Sequence, residues 1–177
     1  MSQIANNIRY AIRTRLADVT TGFNSILAGV AAGYGITQPE KFFLDFGPDL
    51  KGFVEGNLTP DDLENSSPAH YPFGFLYAVE TRNENLRKFN TFSGRVTFSF
   101  DYWLSWRNEK ALRDFENFGD CVEDVVVSIM NTTDFLEWGS IATYNGDVTL
   151  TRGKIEMQGE HWRQLLAFQF VFEYDVS

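Results

Sequence analysis

"FSGRVTFSFDYWLSW" (residues 92–106) is the stretch that decides the fold. Phe92, Val96, Phe98, Phe100, Tyr102 and Leu104 fall on one side, and Arg95, Thr97, Ser99, Asp101 and Trp103 on the other. A two-residue alternation of this length marks a β-strand with one face toward a core. Upstream, "YPFGFLYAVETR" (71–82) is rich in β-formers, and "NENLRKFN" between the two reads as the connection of a hairpin. Downstream, "FLEWGSIATY" (135–144) and "DVTLTRGKIEMQ" (147–158) read as two strands. "YNGD" (144–147) carries Asn-Gly, the strongest short hairpin signal, between them, and "QGEH" supplies the next turn. "FQFVFEYDVS" (168–177) repeats the alternation with Phe168, Phe170, Phe172, Tyr174 and Val176. It reads as a strand at the sheet's edge, which is an aggregation hazard unless something covers it.

The spacing changes elsewhere. Ile4, Ile8, Ile12, Leu16, Val19, Phe23, Ile26, Leu27 and Val30 recur at steps of mostly three and four, predicting one amphipathic helix over about 3–32. "GYGITQP" ends it, with Gly22 and the Gly29/Gly33 pair as points of bending. Asn108–Met130 returns to helical spacing, with Ala111, Phe115, Phe118, Val122, Val125, Val126 and Ile129 apolar. The resulting order is α–loop–ββ–α–βββ. Short turns between consecutive strands imply a largely antiparallel sheet, and two amphipathic helices can cover one of its faces. The expectation is an α+β, two-layer single domain spanning 1–177.

Residues 37–70 hold four of the five prolines and a net charge of −5, with a short strand expected at Lys41–Phe46 and loop elsewhere. A connection of that length is usually functional or disordered, so it is a place to look for a partner.

The whole chain has 177 residues and a formal net charge of −9, which excludes a surface built to wrap nucleic acid or bind an anionic membrane. The opening "MSQIANNIRY" lacks a charged stretch followed by an apolar run, so the expectation is a cytosolic protein with no signal peptide. No stretch is long and apolar enough to predict a membrane helix.

Motifs for chemistry are missing from the sequence. There is no G-x-S-x-G elbow and no P-loop, and "GYG" (33–35) lacks the rest of a phosphate fingerprint. His70 and His161 are the only histidines, at no metal-ligand spacing, and His161 reads as a solvated or hydrogen-bonding side chain. Cys121 is the only cysteine, so no disulfide forms within the chain, and its acidic neighbours would raise rather than lower a thiol pKa. The expectation is no enzyme, no cofactor and no metal.

Two features ask for a partner. Glu116, Asp120, Glu123 and Asp124 sit at three- and four-residue spacings on the second helix, where like charges repel. Glu109, four residues before Arg113, is the only helix carboxylate with a well-placed cation. The face is either solvated, turned toward a basic neighbour, or the lining of a channel that a polyanion passes without sticking. Trp103, Trp106, Trp138 and Trp162 lie on polar faces or near strand ends, where a tryptophan either closes a second core layer or anchors an interface. With Phe168, Phe170 and Phe172 of the edge ribbon, they are the candidate interface residues.

The succession of "IRYAIRTRLADVTTGFNSILAG", a variable loop, strands, "EKALRDFENFGDCVEDVVVSIM" and closing strands ending in "LLAFQFVFEYDVS" resembles the tail terminator or tail-completion proteins of long-tailed bacteriophages. The resemblance covers most of the chain and lies in element order, size and the final strand. It implies a homo-oligomeric ring, most often a hexamer, that caps the tail tube, stops its elongation and offers the surface for joining the head. The implied partners are the tail tube protein and the head–tail connector or neck proteins. DNA would pass through without specific binding, and the acidic helix face would suit such a lumen. The implied location is the virion tail, after assembly in the host cytoplasm. The alternatives are another tail or neck subunit (tube, baseplate or head closure), or a small-ligand-binding α+β domain with an aromatic pocket.

Overall fold

The computed structural model describes residues 2–47, 52–63, 70–87, 91–106, 114–131 and 142–176. Its elements are α1 (Ser2–Leu16), α2 (Phe23–Val30), β1 (Phe53–Glu55), β2 (Phe73–Arg87), β3 (Thr91–Trp106), α3 (Phe115–Asn131), β4 (Ala142–Arg152), β5 (Glu156–Gln158) and β6 (His161–Val176). The strands form one sheet in the order β1-β2-β3-β6-β4, with β5 also paired to β6. Among the described residues only the β1–β2 pair is parallel. The helices lie on one face, so the protein is α+β.

β3 and β6 run antiparallel without a register break from Phe92–Val176 to Trp106–Trp162. Their period of two puts Val96, Phe98, Phe100, Tyr102 and Leu104 beside Leu166, Phe168, Phe170, Phe172 and Tyr174, all buried. Ile4, Ile8, Ile12 and Leu16 of α1, Phe23 and Leu27 of α2 and the apolar side of α3 close over this ladder as one core. Rings meet at offset or edge-on angles, as with Phe23 and Tyr102 at 5.3 Å and Phe98 and Phe172 at 6.1 Å. The Tyr102 hydroxyl, fully buried, donates to the Phe42 carbonyl at 2.8 Å.

The β6 ribbon is therefore not an edge. It sits between β3 on one side and β4 with β5 on the other. Phe168, Phe170 and Phe172 are core residues with 0%, 1% and 0% exposure, which removes them as interface candidates. Alternation shows that a strand has a buried face; it carries no signal for whether a second neighbour completes its hydrogen bonds.

The first helix is two helices. Asp18 accepts from the amides of Thr20 and Thr21 and from the Thr20 hydroxyl, each at 2.8 Å, so a side chain takes donors that a continuing helix would use. Gly22 fits the break because a Cβ there would meet the Asp18 carbonyl and come within 2.6 Å of the Leu16 carbonyl. Val19, counted in the apolar stripe, is 90% exposed in this turn.

Lys41–Phe46 is not a strand. Pro39–Phe42 forms a 3-10 turn, and the Asn24 side chain brackets Leu44, accepting from its amide at 2.8 Å and donating to its carbonyl at 2.9 Å. The strand in this region is β1, which adds Phe53–Glu55 alongside Gly74–Leu76. Asn145-Gly146 makes no turn between two strands. It forms a bulge inside β4, where three residues intervene between Tyr144, opposite Phe172, and Val148, opposite Phe170. Gly146 at φ 88° takes the left-handed conformation that the bulge needs. The expected β2–β3 hairpin forms, but its strands extend through Asn83–Arg87, a segment expected to be part of the connection. "QGEH" does turn, between Gln158 and His161. Residues 108–113 of the second helix and 135–141 of the "FLEWGSIATY" strand lie outside the described residues.

Candidate functional site

The acidic face of α3 has a partner that the sequence hides. Arg152, the last residue of β4, reaches across to the helix. Its Nη1 donates to Glu116 at 2.9 Å, and its Nη2 donates to Asp120 at 2.6 Å and Glu123 at 3.0 Å. Gly119 gives the guanidinium room, since a Cβ there would lie 2.9 Å from Nη1. Burial alone would lower the Arg152 pKa, but the bonds to Asp120 and Glu123 raise it above its ordinary value. The fourth carboxylate, Asp124, accepts from the Tyr34 hydroxyl. One cation thus serves three carboxylates, and their side chains remain 71%, 55% and 42% exposed.

The second arginine centre lies on the sheet face away from the helices. Arg163 of β6, only 12% exposed, donates from Nε to Glu156 at 2.9 Å and from Nη1 to both Asp61 oxygens at 3.0 Å. Gln158 donates to Asp61 at 2.6 Å. These bonds fasten the 3-10 turn at Pro60–Asp62 to the β5–β6 hairpin. The guanidinium lies 5.1 Å from the Trp103 ring, a cation–π contact. The Gln158 hydrogen bond and Arg163 hold the Asp61 pKa below its usual value against a push from burial. Next to this centre Val54, Phe73 and Phe75 form a small second core, with Leu58, Leu63, Tyr71, Tyr77 and Trp103 packed around it. Further along β3, Asp101 accepts from the Ser99 hydroxyl at 2.6 Å and the Tyr77 hydroxyl at 2.9 Å.

The described tryptophans are engaged within the chain. Trp103 belongs to the second core, Trp106 stacks on Phe42 at 5.7 Å and Trp162 packs against the main core. Trp138 lies outside the described residues. His161 is buried beside Tyr71, with ring centroids 5.6 Å apart, which removes the solvated alternative for it. Cys121 is buried, and burial pushes its thiol up to about 11, which suppresses the thiolate. Among the described residues no group of three His, Cys, Asp or Glu side chains could hold a metal ion, and no helix is long and apolar enough to cross a membrane.

β2 is buried at its start, Phe73–Leu76, and uncovered further along. Ala78–Arg82 are five consecutive strand residues, and all five are exposed. Val79 is the extra residue of a bulge against β3 and is 49% exposed. Residues on both faces of the strand therefore meet solvent here. Neither this segment nor the roles of Arg152 and Arg163 were expected from the sequence. A lone arginine on a strand of an acidic chain was the available signal, but 29 to 36 residues separate Arg152 from its partners.

No known protein-family model matches the chain, and no curated protein matches it in sequence.

Proposed function

We propose that this chain is a structural virion subunit of a long-tailed bacteriophage, one that forms a ring on the tail tube, stops tube growth and offers the surface for joining the head. The observation that carries the reading is the exposed stretch of β2 at Ala78–Arg82, past the end of its pairing with β1. The β1 ladder ends at Leu76, and a strand edge left without a neighbour is a template for another chain, which assembly into a closed ring would cover. The element order that resembles tail terminators supports the same reading. The partners on this reading are copies of itself, the tail tube protein and the neck proteins, with DNA threading the ring without sequence-specific contacts.

The test is sedimentation and light scattering on purified protein, alone and with tail tubes, together with electron microscopy of tails grown in its absence. A ring-sized oligomer, alone or on tube ends, and overlong tails without the protein are the expected results. A strict monomer that ignores tubes would overturn the proposal. Unaided growth into long polymers would instead make the chain a tube subunit.

A further inference from the structure

The helical layer is segregated by charge in a way that the assembly reading does not use. α1 contains Arg9, Arg13 and Arg15 and no acid. α3 contains Glu116, Asp120, Glu123 and Asp124 and no base. The two helices sit on opposite flanks: α1 packs over β2, α3 over β4, and α2 lies between and touches both.

The α1 flank has the shape and composition of a docking face. Asn6, Arg9, Tyr10 and Arg13 are neighbours at three- and four-residue spacings, turned away from the buried Ile4–Ile8–Ile12–Leu16 stripe. Tyr10 is 65% exposed. Arg9 donates to Asn6 at 2.6 Å, and the two stand at the rim of a groove of about 520 Å³. Gln3, Ala5, Ala78 and Phe98 complete its lining, and Ala78 is the first residue of the exposed segment of β2. An exposed tyrosine on the same helix as an arginine-lined groove supplies the residue types that dominate binding at protein interfaces.

The α3 flank is the complement. Arg152 answers three carboxylates with one charge, so a net negative surface remains, with Glu116 the most exposed. Each flank is self-repelling and each fits the other.

We propose that the α1/β2 flank of one copy docks on the α3/β4 flank of a second copy, head to tail, with Arg9 and Arg13 reaching Glu116 and Asp120 and Tyr10 as the central anchor. This rests on the assembly reading and specifies its interface. A contact between two different surfaces of the same chain is heterologous, and it closes as a ring or runs on as a filament. It makes the acidic face a subunit boundary and not the lining of a channel.

Sedimentation velocity on the full-length chain tests this with two charge-reversed variants. The first is Arg9→Glu with Arg13→Glu. The second is Glu116→Lys with Asn117→Lys, which leaves Asp120 and Glu123 on Arg152. Each variant alone is expected to self-associate about tenfold more weakly than the wild type, or worse, because like charges now face each other. An equimolar mixture is expected to recover association, since each variant supplies the flank that the other needs. Tyr10→Ala, an exposed change with little bearing on the fold, is expected to weaken association as well. Circular dichroism melts confirm that each variant is folded. If the wild type forms rings while the variants and Tyr10→Ala associate equally well, or if mixing rescues nothing, the flank assignment falls and the ring reading stands. A wild type that stays monomeric at every concentration and on tubes removes both.

Discussion

The two faces of the sheet use the same strands and are covered in different ways. On the helix side, every second residue of β3 from Val96 to Leu104 and of β6 from Leu166 to Tyr174 is buried beneath α1, α2 and α3. On the other side, among the described residues, the buried apolar cluster lies near β1 and β2, around Val54, Phe73 and Phe75. Polar groups take over beyond it. Arg163 straps Asp61 and Glu156 to the sheet, and Ser99 and Tyr77 satisfy the buried Asp101. Burial thus depends on what crosses over a strand as much as on its own alternation. Ser99 and Asp101 occupy the nominally polar positions and are buried even so.

The sharpest way to break this comparison is to remove one ring from each face. Phe100 and Phe75 are both 0% exposed, but Phe100 sits in the main core against Phe23, Phe53, Tyr102 and Phe168. Phe100→Ala is expected to cost about 4–5 kcal/mol and Phe75→Ala about 3 kcal/mol, because the smaller cluster can collapse more completely around a lost ring. Urea denaturation midpoints check the order. Equal losses would mean that the second cluster is as rigidly packed as the first.

The polar half of the second face comes next in size. Tyr77→Phe removes one of the two donors to the buried Asp101 and is expected to cost about 1.5–3 kcal/mol, the range for a hydrogen bond to a charged group. Arg163→Met keeps most of the stem's packing and loses the strap, for an expected loss of about 1–2 kcal/mol. Both are read from the same denaturation experiment. If Arg163→Met proved neutral, the turn at Pro60–Asp62 would be held by the Gln158 hydrogen bond and packing without the arginine.

The same contrast separates what is legible in the amino-acid sequence from what is not. Period-two runs at 92–106 and 168–177 announce buried strand faces, and period-3.6 runs announce the helices, because each follows from one element's own geometry. Two of the expectations that failed depended on partners distant in sequence. The Asn24 bracket on Leu44 suppressed an expected strand, and β4 and β5 turned the last ribbon from an edge into an interior strand. The break at Asp18–Gly22 was a local signal that the unbroken apolar spacing masked. At the site, the acidic row on α3 was visible in the sequence, but Arg152, the residue that organises it, was not. The basic patch of α1 was equally open to view, since residues 2–16 hold three arginines and no acid. It meant little until α1 and α3 were seen on opposite flanks.

The smallest expected effect is a pH dependence confined to the strapped face. Asp61 has its pKa held below the usual carboxylate value, chiefly by the Gln158 amide and then by Arg163. The unfolded chain therefore binds a proton at Asp61 at a higher pH than the folded chain does. Across that window stability rises with pH. The contribution is complete above the ordinary value of 3.8 and is lost as pH falls through the lower folded value. Because Asp61 is nearly half exposed, solvent screening keeps the contribution small. Stability measured from pH 5 down to the acid transition is expected to fall less steeply in Asp61→Asn than in the wild type, with the two curves converging at the acid end. The gap between the two curves is expected to be the same in a Phe100→Ala background, because the main core contributes no titrating group to this strap. Parallel wild-type and Asp61→Asn curves would show that the strap does not discriminate between the charged and neutral carboxyl. The second face would then owe its cover to Phe73, Phe75 and Trp103 rather than to Arg163.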